Sequence, residues 1–470
     1  MQKKKICILS RKNLYRVTRV VRQAKVLSDA GHEVTIVCLG LPHDELIRSV
    51  PKVKFIKINL ESWVNKNIGA LKRRQNIKQK TKSANKMSFK SRHTSKWLNK
   101  IWSILRHLVL GPLLYLPSAF LLKLPEEKIS SKYVLFSKLS KIDILYEWLK
   151  PFRQLAWSNN FAVKVSKIIS EQKFDYCQAH DNYSLLAAKK LSKRDRSRLI
   201  YDAVEISEHR IGVKNSIFSS WIERFERWKE KNIIRKAYRV VTIGTGLAKW
   251  YEQRLKIKTP ILLRNCRLFV PYSSSHSSIR HDCGMQNFEY LVVWFGYSYP
   301  EQGLETLVKV VKYLPKTIHI AIIADVLPKW ENFHNGLMET IEKDNLSDQF
   351  HFIKARAPNE LITYVMGADV GIIPRPNKGL NIYYSLPNKL FEMVMARLPI
   401  ASSRLDDIMK LIKEYQIGLI FDENNPRDIA NKIQEILIPD NFQKLKQSVS
   451  EAAKILCWEE ESKNYLKLIK

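Results

Sequence analysis

At 470 residues with 45% hydrophobic and 27% charged content, the chain is long enough for two globular domains and too apolar to be intrinsically disordered. Lys and Arg number 80 against 45 Asp and Glu, a formal charge of +35 that implies an acidic partner: nucleic acid, a phosphorylated ligand or an anionic membrane. The six cysteines (Cys7, Cys38, Cys177, Cys266, Cys283 and Cys457) lie far apart without a CxxC pair, which excludes a disulfide frame or a zinc site by spacing and reads as reduced thiols of a cytosolic protein.

In chain order, Met1-Gln-Lys-Lys-Lys runs straight into a short strand with no apolar core of signal-peptide length. The apolar run over 6–9 predicts that strand, a helical pattern follows over 15–30, Gly31 ends it, and 33–37 is a second strand. From Lys66 to Arg106 there are 13 Lys and Arg and no acid, followed by 15 uncharged residues over 108–122. That apolar stretch falls short of the ~20 residues needed to span a bilayer, and Gly111-Pro112 and Pro117 break it. A broken apolar stretch beside a basic one suits a segment lying on an anionic leaflet. A flexible basic loop followed by a packed hairpin is the alternative.

Strand–helix alternation resumes with strands over 174–180 and 199–204, a long helix over 216–237, and strands over 239–243 and 261–263. A Ser- and His-rich stretch of low apolar content, 273–287, reads as linker. Further strands follow over 290–295, 317–324, 349–353, 370–374, 398–401 and 418–421, and the chain closes on a helix over 442–470. Repeated alternation of this kind predicts parallel, doubly wound sheets.

The most informative run is Tyr384-Ser-Leu-Pro-Asn-Lys-Leu-Phe-Glu, continuing through Leu398-Pro399 into an apolar strand. Pro387 suits a first helical position, so the helix start, which favours anions, lies close to the acid Glu392. Asn388 and Lys389 precede Glu392 by four and three residues and share its helix face. A Lys389–Glu392 surface ion pair is the plainer reading of the same spacing.

This run resembles the donor-sugar signature of nucleotide-sugar glycosyltransferases with the GT-B fold, and more narrowly their large retaining family four. The resemblance implies an α/β fold of two Rossmann-like doubly wound domains facing across a cleft. The basic and apolar insertion, about 63–150, would sit in the N-terminal domain. It assigns 1–265 to an acceptor domain, 266–287 to a linker, 288–440 to a nucleotide-sugar domain, and 441–470 to a helix crossing back to the N-terminal domain.

Carried over by position, Glu392 matches the second acid of the family's Glu-x7-Glu pair and would hold the ribose hydroxyls, and Tyr384 stands where the family places the first acid, near the donor sugar. The family's Gly-Arg-x4-Lys-Gly opening of the second domain is matched by Gly296, with Tyr297 and Gln302 at the two cation positions. Neutral donors do not replace full charges in a desolvated site, where charge-assisted hydrogen bonds are about twice as strong. Arg375, just past a strand, is the favoured substitute, with Lys389, Lys378 and Arg264 as further candidates. Each is equally readable as a solvated surface charge. The helix start at 385–389, including Ser385, would then share the diphosphate with Arg375.

On the acceptor side His180 ends a strand, where ligands bind in open α/β sheets, and its imidazole could orient a hydroxyl or take its proton. Helix capping by Asp181 or Asn182, with His180 merely lining the gap, is the alternative. In the run Asp202-Ala203-Val204-Glu205, Val204 replaces the histidine common among relatives and Glu205 remains; Glu208 and His209 follow one turn on. The turn Gly244-Thr245-Gly246 reads as structural. No metal-ligand cluster and no DxD motif is seen, so neither a metal nor a cofactor is expected beyond the sugar nucleotide, which is substrate. The activity implied is transfer of a sugar, with retention, from a nucleoside-diphosphate donor to a lipid-linked or polysaccharide acceptor. The enzyme would act in cell-surface glycan synthesis, peripheral at the cytoplasmic face of the membrane. The rival is a catalytically degenerate GT-B protein that scaffolds or activates another transferase. Nucleic acid is not an expected partner, because the basic segment has few aromatics for stacking bases.

Overall fold

The computed structural model describes residues 2–14, 18–59, 157–206, 217–272 and 278–469. The expected membrane-contacting insertion and His209 lie outside those residues.

The described chain forms two sheets of parallel strands. The first contains β1 (Lys5–Asn13), β2 (Glu33–Gly40), β3 (Val53–Lys57), β4 (Tyr176–Ala179), β5 (Arg198–Ala203), β6 (Arg239–Thr242) and β7 (Ile261–Leu262), in the order β3-β2-β1-β4-β5-β6-β7. The second contains β8 (Tyr290–Tyr297), β9 (Ile318–Asp325), β10 (Phe350–Lys354), β11 (Val370–Ile373), β12 (Ile400–Ser403) and β13 (Gly418–Phe421), in the order β10-β9-β8-β11-β12-β13. Strands such as 291–295 and 320–323 are apolar on both faces because helices cover both, as parallel sheets require. Trp294, Ile320, Ile322 and Val370 meet Leu307, Ile341, Ile429 and Ile433 from those helices in one core.

By packing, the chain divides into two compact units: Lys3–Tyr201 with Arg210–Tyr238, and Asp202–His209 with Arg239–Lys470. Residues 239–265 supply β6 and β7 to the first sheet, as the sequence reading expects, while by packing they cluster with the second unit. The reason is visible at Gly244 and Gly246. Asp407 accepts from Thr245 Oγ1 at 3.0 Å, from Gly246 N at 2.7 Å and from Leu247 N at 3.3 Å, so a carboxylate from the helix Asp406–Tyr415 caps the helix Thr245–Leu255. A Cβ at Gly244 would lie 2.3 Å from Asp407 Oδ2, and one at Gly246 2.2 Å from Asp406 Oδ2.

Three expectations of secondary structure change. β3 escapes the periodicity reading because its edge position alternates apolar residues with Lys54 and Lys57. Part of the stretch read as linker forms the helix Ser278–Asp282, with Ile279 and Cys283 buried. Arg280 fastens it, donating to Asp369 at 3.0 Å and to the Glu289 carbonyl at 2.6 Å. The final helix is two helices, Pro439–Ile455 and Trp458–Leu466. Between them Cys457 turns extended to bridge Arg267, and Trp458 N donates to the Arg267 carbonyl at 2.7 Å. Among the described residues no helix is long and apolar enough to cross a membrane.

Candidate functional site

In the second sheet β8 and β11 are neighbours, while the connections from each run outward in opposite directions. Such a switch point leaves a crevice beyond the carboxyl ends of the two strands. There β8 ends at Gly296-Tyr297, and β11 gives way to Pro374-Arg375. The loop after β8 approaches the end of β11 so closely that a Cβ at residue 303 would lie 2.0 Å from the Pro374 carbonyl oxygen. Gly303, at φ +79°, is therefore required twice over, by conformation and by space.

Into this crevice comes Lys389 from the helix Asn388–Met395, whose N-cap is Pro387, one position earlier in register than the sequence suggests. Among the described residues no side chain caps that helix start. The Lys389 ammonium lies 4.1 Å from the centroid of the Trp294 ring and donates to Gln302 Oε1 at 3.2 Å. Gly296, at φ +144°, leaves room for it: a Cβ there would stand 3.4 Å from Nζ. Gln302 is 6% exposed, so the neutral residue at the family's cation position is buried and in contact with a cation from elsewhere in the chain. Burial pushes Lys389 down to about 7, the Arg375 guanidinium pushes the same way, and Glu392 opposes both. Arg375 keeps its Nε buried with no hydrogen-bond partner among the described residues, while its carbonyl accepts from Ser403 Oγ at 2.6 Å.

Glu392 is 7% exposed and forms an ion pair with Arg267, not with Lys389. Asn388 accepts a hydrogen bond from Asn265. Residues 265–267 thus lie beside the same helix, and Arg267 is a functional candidate the sequence reading missed. Its position on the edge of an expected linker gave no signal.

Other expected residues are placed elsewhere. The Ser385 hydroxyl donates to the Ile382 carbonyl at 2.8 Å. Tyr384 packs on Gly246, where a Cβ would lie 2.6 Å from Cδ1, and burial together with Asp406 raises its phenol above the usual value. Tyr297 is exposed, as is Lys378. Arg264, a candidate cation, is instead tied to Glu461, with Nε donating at 3.0 Å. Glu205 is half-buried and its carbonyl accepts from Tyr251 OH at 2.9 Å. The next residue, Ile206, exchanges two backbone hydrogen bonds with the Asn381 amide at 2.7 and 2.9 Å.

His180 belongs to the other compact unit, where it occupies the corresponding switch point between β1 and β4. It is 2% exposed, and its backbone N–H donates to the Leu9 carbonyl at 2.9 Å. Asp181 beside it is a helix cap, accepting from Ser184 N at 2.7 Å and from Arg11 N at 3.2 Å. Of the sequence-expected donor residues, the second unit therefore gathers Gly296, Gln302, Arg375, Asn388, Lys389 and Glu392 around one helix start.

Residues 280–455 match the family model described as glycosyl transferases group 1. A curated relative, an uncharacterized glycosyltransferase of Methanocaldococcus jannaschii, is 22% identical over 66% of this chain and 79% of its own length. Among solved structures, a sucrose-phosphate synthase from Thermosynechococcus elongatus superposes with a TM-score of 0.62 at 14% identity, covering 99% of this chain and 98% of that one. Anabaena HepE in complex with UDP-glucose gives a TM-score of 0.61 at 12% identity over 99% and 98%. The chain is thus a GT-B-fold protein whose residues 280–455 match the glycosyl transferases group 1 family.

Proposed function

We propose that the protein transfers a sugar from a nucleoside-diphosphate donor, and that the donor's diphosphate lies at the switch point of the second sheet. The observation that carries this reading is Lys389: a basic amine seated on Trp294 and Gln302 beside an uncapped helix start, with Arg375 close enough to perturb it. The departing diphosphate gathers charge in the transition state, and preorganised cations with a helix start act where that charge develops. The two cations would replace those expected at Tyr297 and Gln302, so charge neutralisation requires no metal. Anabaena HepE, of the same fold, binds UDP and UDP-glucose, which favours a sugar nucleotide here.

In this reading Glu392 and Arg267 hold the ribose side, with Asn388, Ser385, Tyr384 and Tyr297 bordering the donor. His180 and Glu205 serve the acceptor and sugar side, and transfer proceeds with retention. The acceptor is lipid-linked or a polysaccharide, reached from an anionic membrane surface by the basic segment 66–106. Flotation with anionic liposomes that weakens at high salt is the expected behaviour; indifference to lipid charge would remove the membrane from the account.

A second reading, a GT-B scaffold that activates another transferase, is favoured by one observation: Glu392 already has an arginine partner. A thermal-shift panel of UDP, GDP, ADP and CMP separates the two. Stabilisation by one nucleotide, lost in Glu392→Ala, is the enzyme's signature. No response to any of them, with specific capture of a transferase, is the scaffold's.

A further inference from the structure

The company Lys389 keeps favours its uncharged form when the site is empty of anions. Its amine has exchanged water for the Trp294 ring and the buried Gln302 carboxamide. The ring face attracts a cation, yet it offers no hydrogen-bond acceptor in place of the lost water. From the loop after β11, the Arg375 guanidinium repels a second positive charge. On the amine's own helix the carboxylate is Glu392, and that is engaged by Arg267. A proton on Lys389 is thus poorly accommodated until a negative group arrives.

Resting on the donor-binding reading above, we propose that diphosphate capture by this protein is proton-coupled, Lys389 taking one proton from solvent as the donor binds and returning it when the nucleoside diphosphate leaves. The balance is simple: neutral amine plus proton becomes ammonium, which pairs with the anionic diphosphate, and no bond between heavy atoms changes. Lys389 acts as a donor-binding residue whose charge is switched on by its ligand. The titration near pH 7 places the exchange where the free protein holds both forms.

Calorimetry on the full chain with UDP-glucose and GDP-mannose tests this, because their diphosphate diesters carry no group titrating between pH 6 and 9. At pH 8, in buffers of differing ionisation heat, binding takes up close to one proton. Affinity falls roughly tenfold per pH unit above about pH 7.5, as linkage to one group requires. Lys389→Arg, always charged, binds with flat pH dependence and no uptake. Arg375→Gln binds more weakly, with its pH midpoint moved upward, a signature that a merely structural change would not give. Unchanged proton uptake in Lys389→Arg, or pH-independent affinity in the natural protein, overturns the coupling and leaves donor binding standing. Failure of both sugar nucleotides to bind at any pH overturns donor binding itself and the coupling with it.

Discussion

Two helix starts in the same compact unit make opposite use of similar chemistry. At Thr245–Leu255 the start is closed by the chain's own carboxylate: Asp407 is 2% exposed and accepts from two backbone N–H groups and a hydroxyl. At Asn388–Met395 the start has no side-chain cap, and cations surround it in place of acids. A helix start filled by the protein's own anion is structural. One ringed by lysine and arginine, with the buried Arg375 Nε unpartnered among the described residues, is built for an anion from outside.

Exchanging the charged residue at each start should break them in opposite ways. Asp407→Ala strands buried donors and is the most damaging change, costing about 3 kcal/mol and lowering the thermal midpoint without altering intrinsic nucleotide affinity. Lys389→Met removes a half-buried amine that is poorly accommodated as a cation, so the midpoint holds or rises, while nucleotide affinity drops by about 10- to 100-fold, the scale of a hydrogen bond to a charged group. If both variants destabilise alike, the contrast between the two starts fails. Arg267→Gln comes next: it leaves Glu392 without its ion-pair partner, lowering the melting midpoint and weakening nucleotide binding together, as double measurement on one sample would reveal.

The smallest effect lies away from the site. His319 and His351 stack with ring centroids 5.2 Å apart, and Nδ1 of the first is 2.9 Å from Nε2 of the second. Burial and then His319 lower the His351 pKa, against Glu289. The unfolded chain therefore accepts a proton near pH 6.5 that the folded chain takes only lower, and stability is lost as pH falls through that window. His351→Phe should flatten the acid limb of a melting-versus-pH curve by about 2 °C, and an unchanged limb would absolve the pair.

The architecture was readable because parallel strands buried on two faces are continuous apolar runs; the stretches containing β8, β9 and β11 stand out from their sequence alone. β3 did not, since an edge strand's Lys54 and Lys57 disguise it. The site was half readable. Spacing alone places Lys389 and Glu392 on one helix face, while Gly296, Gln302 and the role of Glu392 are legible only through the resemblance, whose motifs each lie within one loop or one helix. Arg267 and the Asp407 cap were not, because each acts on a partner more than a hundred residues away in sequence, and nothing in periodicity reports such a meeting. Arg264 was misassigned for the same reason: its partner Glu461 lies in the last helix.

The most direct measurement is equilibrium binding of UDP, GDP and ADP to the full chain, natural and Lys389→Met, at pH 7. The account predicts that one of the three binds and that the variant loses at least tenfold in affinity while melting no earlier. Binding that ignores the substitution, or no binding by any of the three, would contradict it.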